Sequence, residues 1–301
     1  MISSAVLAVT ERRWTRKLIT ETAPGRRVAE RFAAGETLES AVAATRSLND
    51  DGLKVSLDHL GEHVTSVEEA VTAKDAYLAC AHAIEDAGLD ANISVKLTQL
   101  GMGLDDELAA SNLGEIAAAA ARVGTSVTID MEESVYTETT ICIYEVAQNE
   151  YGNLGIAIQA SLLRSASDLD RIIPLGGHIR LCKGAYAEPI DVAYQGGSEV
   201  DRSFDRLSGL LMTSPDVKPA IASHDDARLE PVLEEAQHRT EPWEFQMLYG
   251  VRRDLQRELV AGGSDVRVYV PYGEAWYPYL TRRMAERPAN LVFFARALIG
   301  G

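Results

Sequence analysis

Leu53-Lys54-Val55-Ser56-Leu57, a helical stretch opened by Ser66, and Ile93-Ser94-Val95-Lys96-Leu97 read together as strand, helix, strand. Ser66 and Glu69 have the spacing of a capping box. Val67, Val71, Leu78 and Ala81 fall on one face of the helix they introduce, and Gly88 stands where a C-cap glycine belongs. The same beat continues at Ser126-Val127-Thr128-Ile129-Asp130, Gly155-Ile156-Ala157-Ile158-Gln159 and His178-Ile179-Arg180-Leu181-Cys182. It ends with Pro219-Ala220-Ile221-Ala222-Ser223, Trp243-Glu244-Phe245-Gln246-Met247-Leu248 and Val266-Arg267-Val268-Tyr269-Val270. Strands that alternate with helices make parallel β-α units. Eight such units over about 250 residues match a (β/α)8 barrel, where an open doubly wound sheet has fewer.

Upstream of the first run, Leu38, Ala41, Val42, Thr45 and Leu48 recur at helical spacing after a candidate cap at Thr37, and Pro24-Gly25 separates this helix from an earlier one. The chain therefore divides into an N-terminal helical arm, residues 1–50, and a barrel, residues 51–301, which together form one α/β domain. At 301 residues, 46% of them hydrophobic, the chain can bury a large core without disulfide or metal support. The formal charge of −16, with no basic run to offset it, argues against nucleic acid as a partner. No apolar run approaches the length of a membrane span, so any membrane contact is expected to be peripheral. The N-terminus has the reverse order of a secretory signal, with its apolar stretch ahead of its charges. Cys80, Cys142 and Cys182 form no C-x-x-C pair and read as reduced, mostly buried thiols of a cytoplasmic protein.

Catalysis in a parallel barrel is assembled where strands end and loops begin. Asp58 and His59 stand at the end of the first strand, Lys96 at the second, Asp130 at the third and Gln159 at the fourth. Arg180 and Lys183 flank the end of the fifth, His224 and Asp225 follow the sixth, Gln246 lies in the seventh and Tyr269 in the eighth. Any one of these could be a helix cap or a loop anchor. Their convergence at one end of the barrel is the signal, because a purely structural barrel needs few charges there.

The last helix adds a second cluster. Tyr279, Arg282, Arg283 and Glu286 share a helical face. That face could be a solvated one carrying an Arg282–Glu286 pair, or a cationic fork able to hold a carboxylate in a fixed plane. His59-Leu60-Gly61-Glu62-His63 matches an H-x-x-E-H zinc pattern, but it follows a strand and contains Gly61, so no metal is expected. No G-x-G-x-x-G follows a strand, and there is no Walker-type loop. Lys96 beside Asp130 leaves a Schiff-base lyase as the competing chemistry.

The successive strand motifs resemble those of proline dehydrogenases. They are Ser94-Val95-Lys96-Leu97, Ile129-Asp130-Met131-Glu132, Ile158-Gln159-Ala160, Arg180-Leu181-Cys182-Lys183-Gly184-Ala185-Tyr186, Ala222-Ser223-His224-Asp225, Phe245-Gln246-Met247-Leu248 and Tyr269-Val270-Pro271-Tyr272-Gly273. Tyr279-Leu280-Thr281-Arg282-Arg283 with Glu286 closes the series. The resemblance runs from about residue 50 to the C-terminus and is most specific in the fifth-strand and last-helix motifs.

The resemblance implies a distorted (β/α)8 barrel that binds FAD at its C-terminal mouth, oxidises L-proline to Δ1-pyrroline-5-carboxylate and passes the electrons to a quinone. It implies that Arg282 and Arg283 clamp the proline carboxylate, and that Lys96, Asp130, Tyr269, Tyr279 and Glu286 complete the substrate pocket. Asp130, Gln159, Arg180, Lys183, Gly184, Ala185, Tyr186, His224 and Gln246 are the implied flavin contacts, with Arg180 near the reactive ring. It implies a monofunctional enzyme in the cytoplasm, with any membrane association at the inner face of the cell membrane. The loop between Tyr269 and the arginine pair is short for the family, and residues 1–50 carry none of the resemblance.

Overall fold

Polar and apolar residues alternate along the strands, and this alternation builds the barrel. In β1 (Lys54–His59) Val55 and Leu57 join the apolar core, whereas Ser56 and Asp58 are buried on the other side. The same period of two recurs in β2 (Ala91–Val95), β3 (Val127–Ile129), β4 (Leu154–Gln159) and β5 (His178–Cys182). It continues through β6 (Lys218–Ala222), β7 (Glu244–Leu248) and β8 (Val266–Tyr272). Every neighbouring pair is parallel, and β8 returns to β1, so the sheet closes. This computed structural model describes residues 31–286, with side chains for 31–281. The expected helix before Pro24-Gly25 lies outside the described residues.

The outward strand residues pack under a ring of helices. These are α1 (Leu38–Asp50), α2 (Val67–Ala87), α3 (Asp106–Arg122), α4 (Thr137–Tyr151), α5 (Ser165–Ile172), α6 (Gly197–Thr213), α7 (Asp226–Ala236), α8 (Arg253–Ala261) and α9 (Trp276–Glu286). Ile93, Ile129, Ile156, Ile179, Ile221 and Phe245 have no exposed surface, and Tyr77 of α2, Tyr144 of α4 and Phe204 of α6 fill the layer above them. Burying each such side chain contributes about 1.5–3 kcal/mol. Thr37 caps α1 as expected, accepting from Ser40 N at 3.3 Å. Ser66 Oγ accepts from Glu69 N at 3.2 Å, but the Glu69 carboxylate reaches past the cap to Thr65 N at 2.7 Å, so the box is displaced by one residue. Gly88 ends α2 with φ +60°.

Helix α1 packs on β1 and β8. Just before it, Ala34 N donates to Pro271 O at 2.8 Å and Gly35 O accepts from Gly273 N at 3.0 Å. The expectation that the thiols are mostly buried needs correction. Cys80 is buried, Cys182 is intermediate and Cys142 is exposed on α4, whose outer face the sequence period did not separate from its inner one.

Small residues leave room for long ones inside the barrel. Gly155 pairs with His178 across β4 and β5, and a Cβ on Gly155 would come within 2.9 Å of the His178 Cβ. Arg180 lies between Ala157 and Ala220 in the neighbouring strands, which leaves its side chain space to cross the lumen.

Candidate active site

At the C-terminal end of the strands the interior polar residues form one connected cluster. Lys96, just beyond β2, donates to Asp58 Oδ1 at 3.3 Å, to Asp130 Oδ2 at 3.0 Å and to Tyr269 OH at 3.1 Å. Tyr269 donates in turn to Asp130 Oδ2 at 2.6 Å. The other Asp130 oxygen accepts from Ser94 Oγ at 2.8 Å and from Arg180 Nη1, which also reaches Ser94 Oγ at 3.0 Å. Arg180 Nε donates to Gln246 Oε1 at 2.5 Å, and the guanidinium carbon stands 5.3 Å from the centre of the Tyr269 ring. Deeper in the barrel, Glu244 accepts from Arg267 and Gln246. Three carboxylates, Asp58, Asp130 and Glu244, thus offset three cations, Lys96, Arg180 and Arg267. Buried charge is tolerated only when it is paired in this way.

The pairing sets the protonation states. Burial alone would lift the Asp130 carboxyl, but Lys96 and Arg180 outweigh it and hold it down to about 2. Asp58, with no exposed surface and fewer donors, is lifted by burial against the opposing pull of Lys96. Burial would lower the Lys96 ammonium, yet Asp58 and Asp130 together keep it well above the ordinary lysine range. Burial also lifts the Tyr269 phenol, so Tyr269 stays a donor to Asp130. These states argue against the Schiff-base alternative, because an amine held protonated by two carboxylates is a poor nucleophile.

The expected flavin contacts line the adjacent rim, over β4 to β7. Gln159 Nε2 donates to Glu132 O at 2.9 Å. Gly184 has φ +109° and sits so close to Ser161 and Gln159 that a Cβ there would lie 3.1 Å from Gln159 Oε1. Ala185 and Tyr186 follow it in the loop after β5, both half-buried. Lys183 is tied to Asp201 at 2.5 Å and to Asp225 at 2.9 Å. His224 Nε2 accepts from Leu248 N at 3.0 Å, which fixes its ring against the end of β7. Tyr279 belongs to a small apolar cluster with Leu60, Trp276 and Leu280, and Tyr269 packs against that cluster. The backbone of α9 places residues 282, 283 and 286 on the helix that carries Tyr279, but the side chains of Arg282, Arg283 and Glu286 lie outside the described residues.

The residues also fit an anionic, electron-rich cofactor. Arg180 Nη2 is buried and has no hydrogen-bond partner among the described residues, although the other guanidinium nitrogens are engaged. An orphaned buried donor on a cation calls for an acceptor from outside the chain.

Sequence reading singled out Lys96, Asp130, Arg180, Gln246 and Tyr269, and the structure brings these five together. It placed Asp58 at a strand end without a partner, and it missed the parts played by Ser94, His178, Glu244 and Arg267. The signal was the repetition of polar residues at every second position, as in Asn92, Ser94 and Lys96. The H-x-x-E-H segment is not helical: His59 ends β1, and His63 sits in the following loop at φ +53°.

A closed parallel barrel with a charge-balanced cluster at its C-terminal mouth defines a (β/α)8-barrel enzyme. The profile of the Proline dehydrogenase family matches residues 41–296. Proline dehydrogenase 1 of Bacillus subtilis (strain 168) is 40% identical over 274 residues, covering 90% of each chain. The proline dehydrogenase of Deinococcus radiodurans is 35% identical over 305 residues, covering 99% of this chain and 97% of its own. Among solved structures, proline utilization A (PutA) from Bdellovibrio bacteriovorus superposes with a TM-score of 0.81 at 24% identity, over 86% of this chain and 32% of that one; this likeness shows the fold. The chain belongs to the proline dehydrogenase family, flavin-dependent enzymes that oxidise L-proline to Δ1-pyrroline-5-carboxylate.

Proposed function

We propose that the mouth of this barrel binds FAD beside L-proline and that the electrons leave to a quinone. The observation that carries the cofactor reading is the buried, unpartnered Nη2 of Arg180 within a cluster that already uses every other guanidinium nitrogen. Asp130, Gln159, Arg180, Lys183, Gly184, Ala185, Tyr186, His224 and Gln246 are the residues that would hold the flavin. Bound there, FAD would supply the two-electron acceptor for proline oxidation.

The chain's own residues bind and orient. Arg282 and Arg283, at adjacent positions on α9, would fork around the proline carboxylate and fix which ring carbon is presented. Tyr269 and Tyr279 would wall the five-membered ring, with Glu286 and the Lys96–Asp130 pair completing the pocket. Lys96 stays an ammonium and Asp130 a carboxylate, so neither exchanges a proton with substrate near neutral pH. Arg180 places positive charge where the reduced cofactor is electron-rich.

No helix among the described residues is long and apolar enough to cross a membrane. We place the enzyme in the cytoplasm, reaching its quinone by peripheral contact at the inner face of the membrane. Purified protein should be yellow or take up FAD, and anaerobic L-proline should bleach it. Protein that stays colourless in excess FAD would overturn the cofactor reading.

A further inference from the structure

Glu244 opens β7 two residues before Gln246, on the same inward face, and its side chain has no exposed surface. It accepts from Arg267 Nε at 2.7 Å, Arg267 Nη2 at 3.2 Å and Gln246 Nε2 at 2.7 Å, with Lys218 Nζ at 3.6 Å. Burial would raise its carboxyl, but the charge and hydrogen bonds of the Arg267 guanidinium work against this, and the carboxyl lies well below the usual range. An ionised carboxylate has no hydrogen to give, so only the NH2 end of the Gln246 amide can face it.

The carbonyl end of that amide must then point the other way, where it meets Arg180 Nε–H at 2.5 Å. His178 completes the arrangement. Burial keeps its ring below the ordinary histidine range and hence neutral; its Nε2 lies 3.4 Å from Glu244 Oε1 and 3.2 Å from Gln246 Nε2, and with the amide NH2 turned to Glu244 the tautomer that leaves Nε2 unprotonated can take the second amide hydrogen. Turning the amide over would set two acceptors together at Glu244 and two donors together at Arg180. One orientation is therefore strongly preferred, and Glu244 is the group that decides it.

The consequence falls on Arg180. Nε is held by Gln246 and Nη1 by Ser94 and Asp130, so the guanidinium cannot rotate about its own plane, and Nη2 is left as the donor without a partner. We propose that Glu244 is a positioning residue for proline oxidation: through the Gln246 amide it fixes the Arg180 guanidinium and thereby strengthens the stabilisation of the reduced flavin. This rests on the reading above that Arg180 contacts the flavin. A Glu244–Arg267 pair that served folding alone would leave the cofactor's redox equilibrium untouched.

The test is anaerobic potentiometry on the FAD-loaded enzyme and on two variants, Glu244→Gln and Gln246→Met. Each variant should disfavour the reduced flavin at least tenfold, a midpoint about 30 mV more negative for a two-electron couple. The rate of flavin reduction by proline should fall by a similar factor, with KM for proline unchanged. Glu244→Gln strands the Arg267 charge and is the variant at risk of not folding. Gln246→Met keeps the Glu244–Arg267 pair whole and tests the amide link, and the double variant Glu244→Gln with Arg267→Met removes the stranded charge and tests Glu244 itself. A folded variant with the parent potential, or one whose loss is confined to KM, overturns the proposal while leaving the flavin reading intact. A parent protein that takes up no FAD overturns that reading and this inference together.

Discussion

Tyr269 donates its phenol to Asp130 Oδ2 at 2.6 Å, a bond between β8 and the end of β3, two strands that are not neighbours in the barrel. It spans the mouth and keeps the Tyr269 ring at the place where Arg180 and Lys96 meet Asp130. Tyr269→Phe keeps the ring and removes that donor together with the acceptor for Lys96. A hydrogen bond to a charged group is worth about 1.5–3 kcal/mol, so kcat/KM for proline should fall about ten- to a hundredfold. FAD content should be unchanged, as steady-state kinetics and the visible spectrum would show. Unaltered kinetics would remove Tyr269 from the substrate site.

Asp130→Asn removes the carboxylate that, among the described residues, faces both Lys96 and Arg180. Breaking a buried pair by removing one partner costs about 3–5 kcal/mol, because the stranded cations remain. A pH dependence should accompany the loss. The folded-state value of Asp130, about 2, lies below that of an unfolded aspartate, about 3.9, so its contribution is complete above about pH 4 and disappears as pH falls toward 2. In thermal melts across that window the parent should lose stability more steeply than Asp130→Asn. Asp58, shifted upward by burial, contributes with the opposite sign and partly offsets this slope.

The sequence reveals the frame of this molecule better than its interior. The eight β-rich runs coincide with the strands to within two residues, and His178–Cys182 coincides at both ends. β8 runs on to Tyr272 because β1 offers it partners as far as His59, a pairing invisible in either run alone. Parallel strands buried on both faces read as continuous apolar runs. Here polar residues recur at every second position, a pattern that marks a polar lumen. What it withheld was which polar residues meet. Glu244 faces Gln246 within one strand, but its bond to Arg267 depends on the Gln246–Arg267 register between β7 and β8. Register across a barrel is set by closure, so the Asp58–Lys96 and Arg180–Ser94 contacts were not legible either.

Thiol reactivity should divide the three cysteines. Cys80 is buried on α2, and burial pushes its thiol up to about 12, with Tyr272 OH at 2.8 Å. A neutral, inaccessible thiol is a poor nucleophile. Cys142 is exposed, so a disulfide reagent should label it first in the native protein, and Cys142→Ser should abolish that fast phase. Cys80 should react only after unfolding. Native labelling of Cys80, read by peptide mass, would contradict its placement.

Arg239 closes the open end of α6. Its Nη1 donates to Met212 O at 2.7 Å and Ser214 O at 2.9 Å, and its Nη2 to Val217 O at 2.7 Å. The last carbonyls of a helix lack internal partners and carry partial negative charge, so one guanidinium satisfies several of them. Arg239→Ala should cost about 2–3 kcal/mol, a Tm lower by about 5–10 °C, with kcat and KM unchanged at a temperature where the variant is folded. The residue stands far from the mouth in the connection to β7, so an effect on catalysis without one on stability would refute the assignment.

The two arginine sites should separate in one pair of variants. Arg180 belongs to the buried cluster and has an unpartnered nitrogen, so Arg180→Ala should weaken FAD retention or slow its reduction. Arg283 stands on α9, four residues beyond Tyr279 and so on the same face. Arg283→Met keeps the length of the side chain and removes the charge that would hold the substrate carboxylate. Truncating one partner of a hydrogen-bonded charge pair costs about 2–5 kcal/mol, so KM for proline should rise by at least tenfold while FAD content stays near that of the parent. If the carboxylate is the group Arg283 binds, an analogue lacking it should be oxidised equally poorly by the parent and by the variant. Parent-like KM in Arg283→Met would take Arg283 out of the pocket, and flavin loss in that variant would assign it to the cofactor instead.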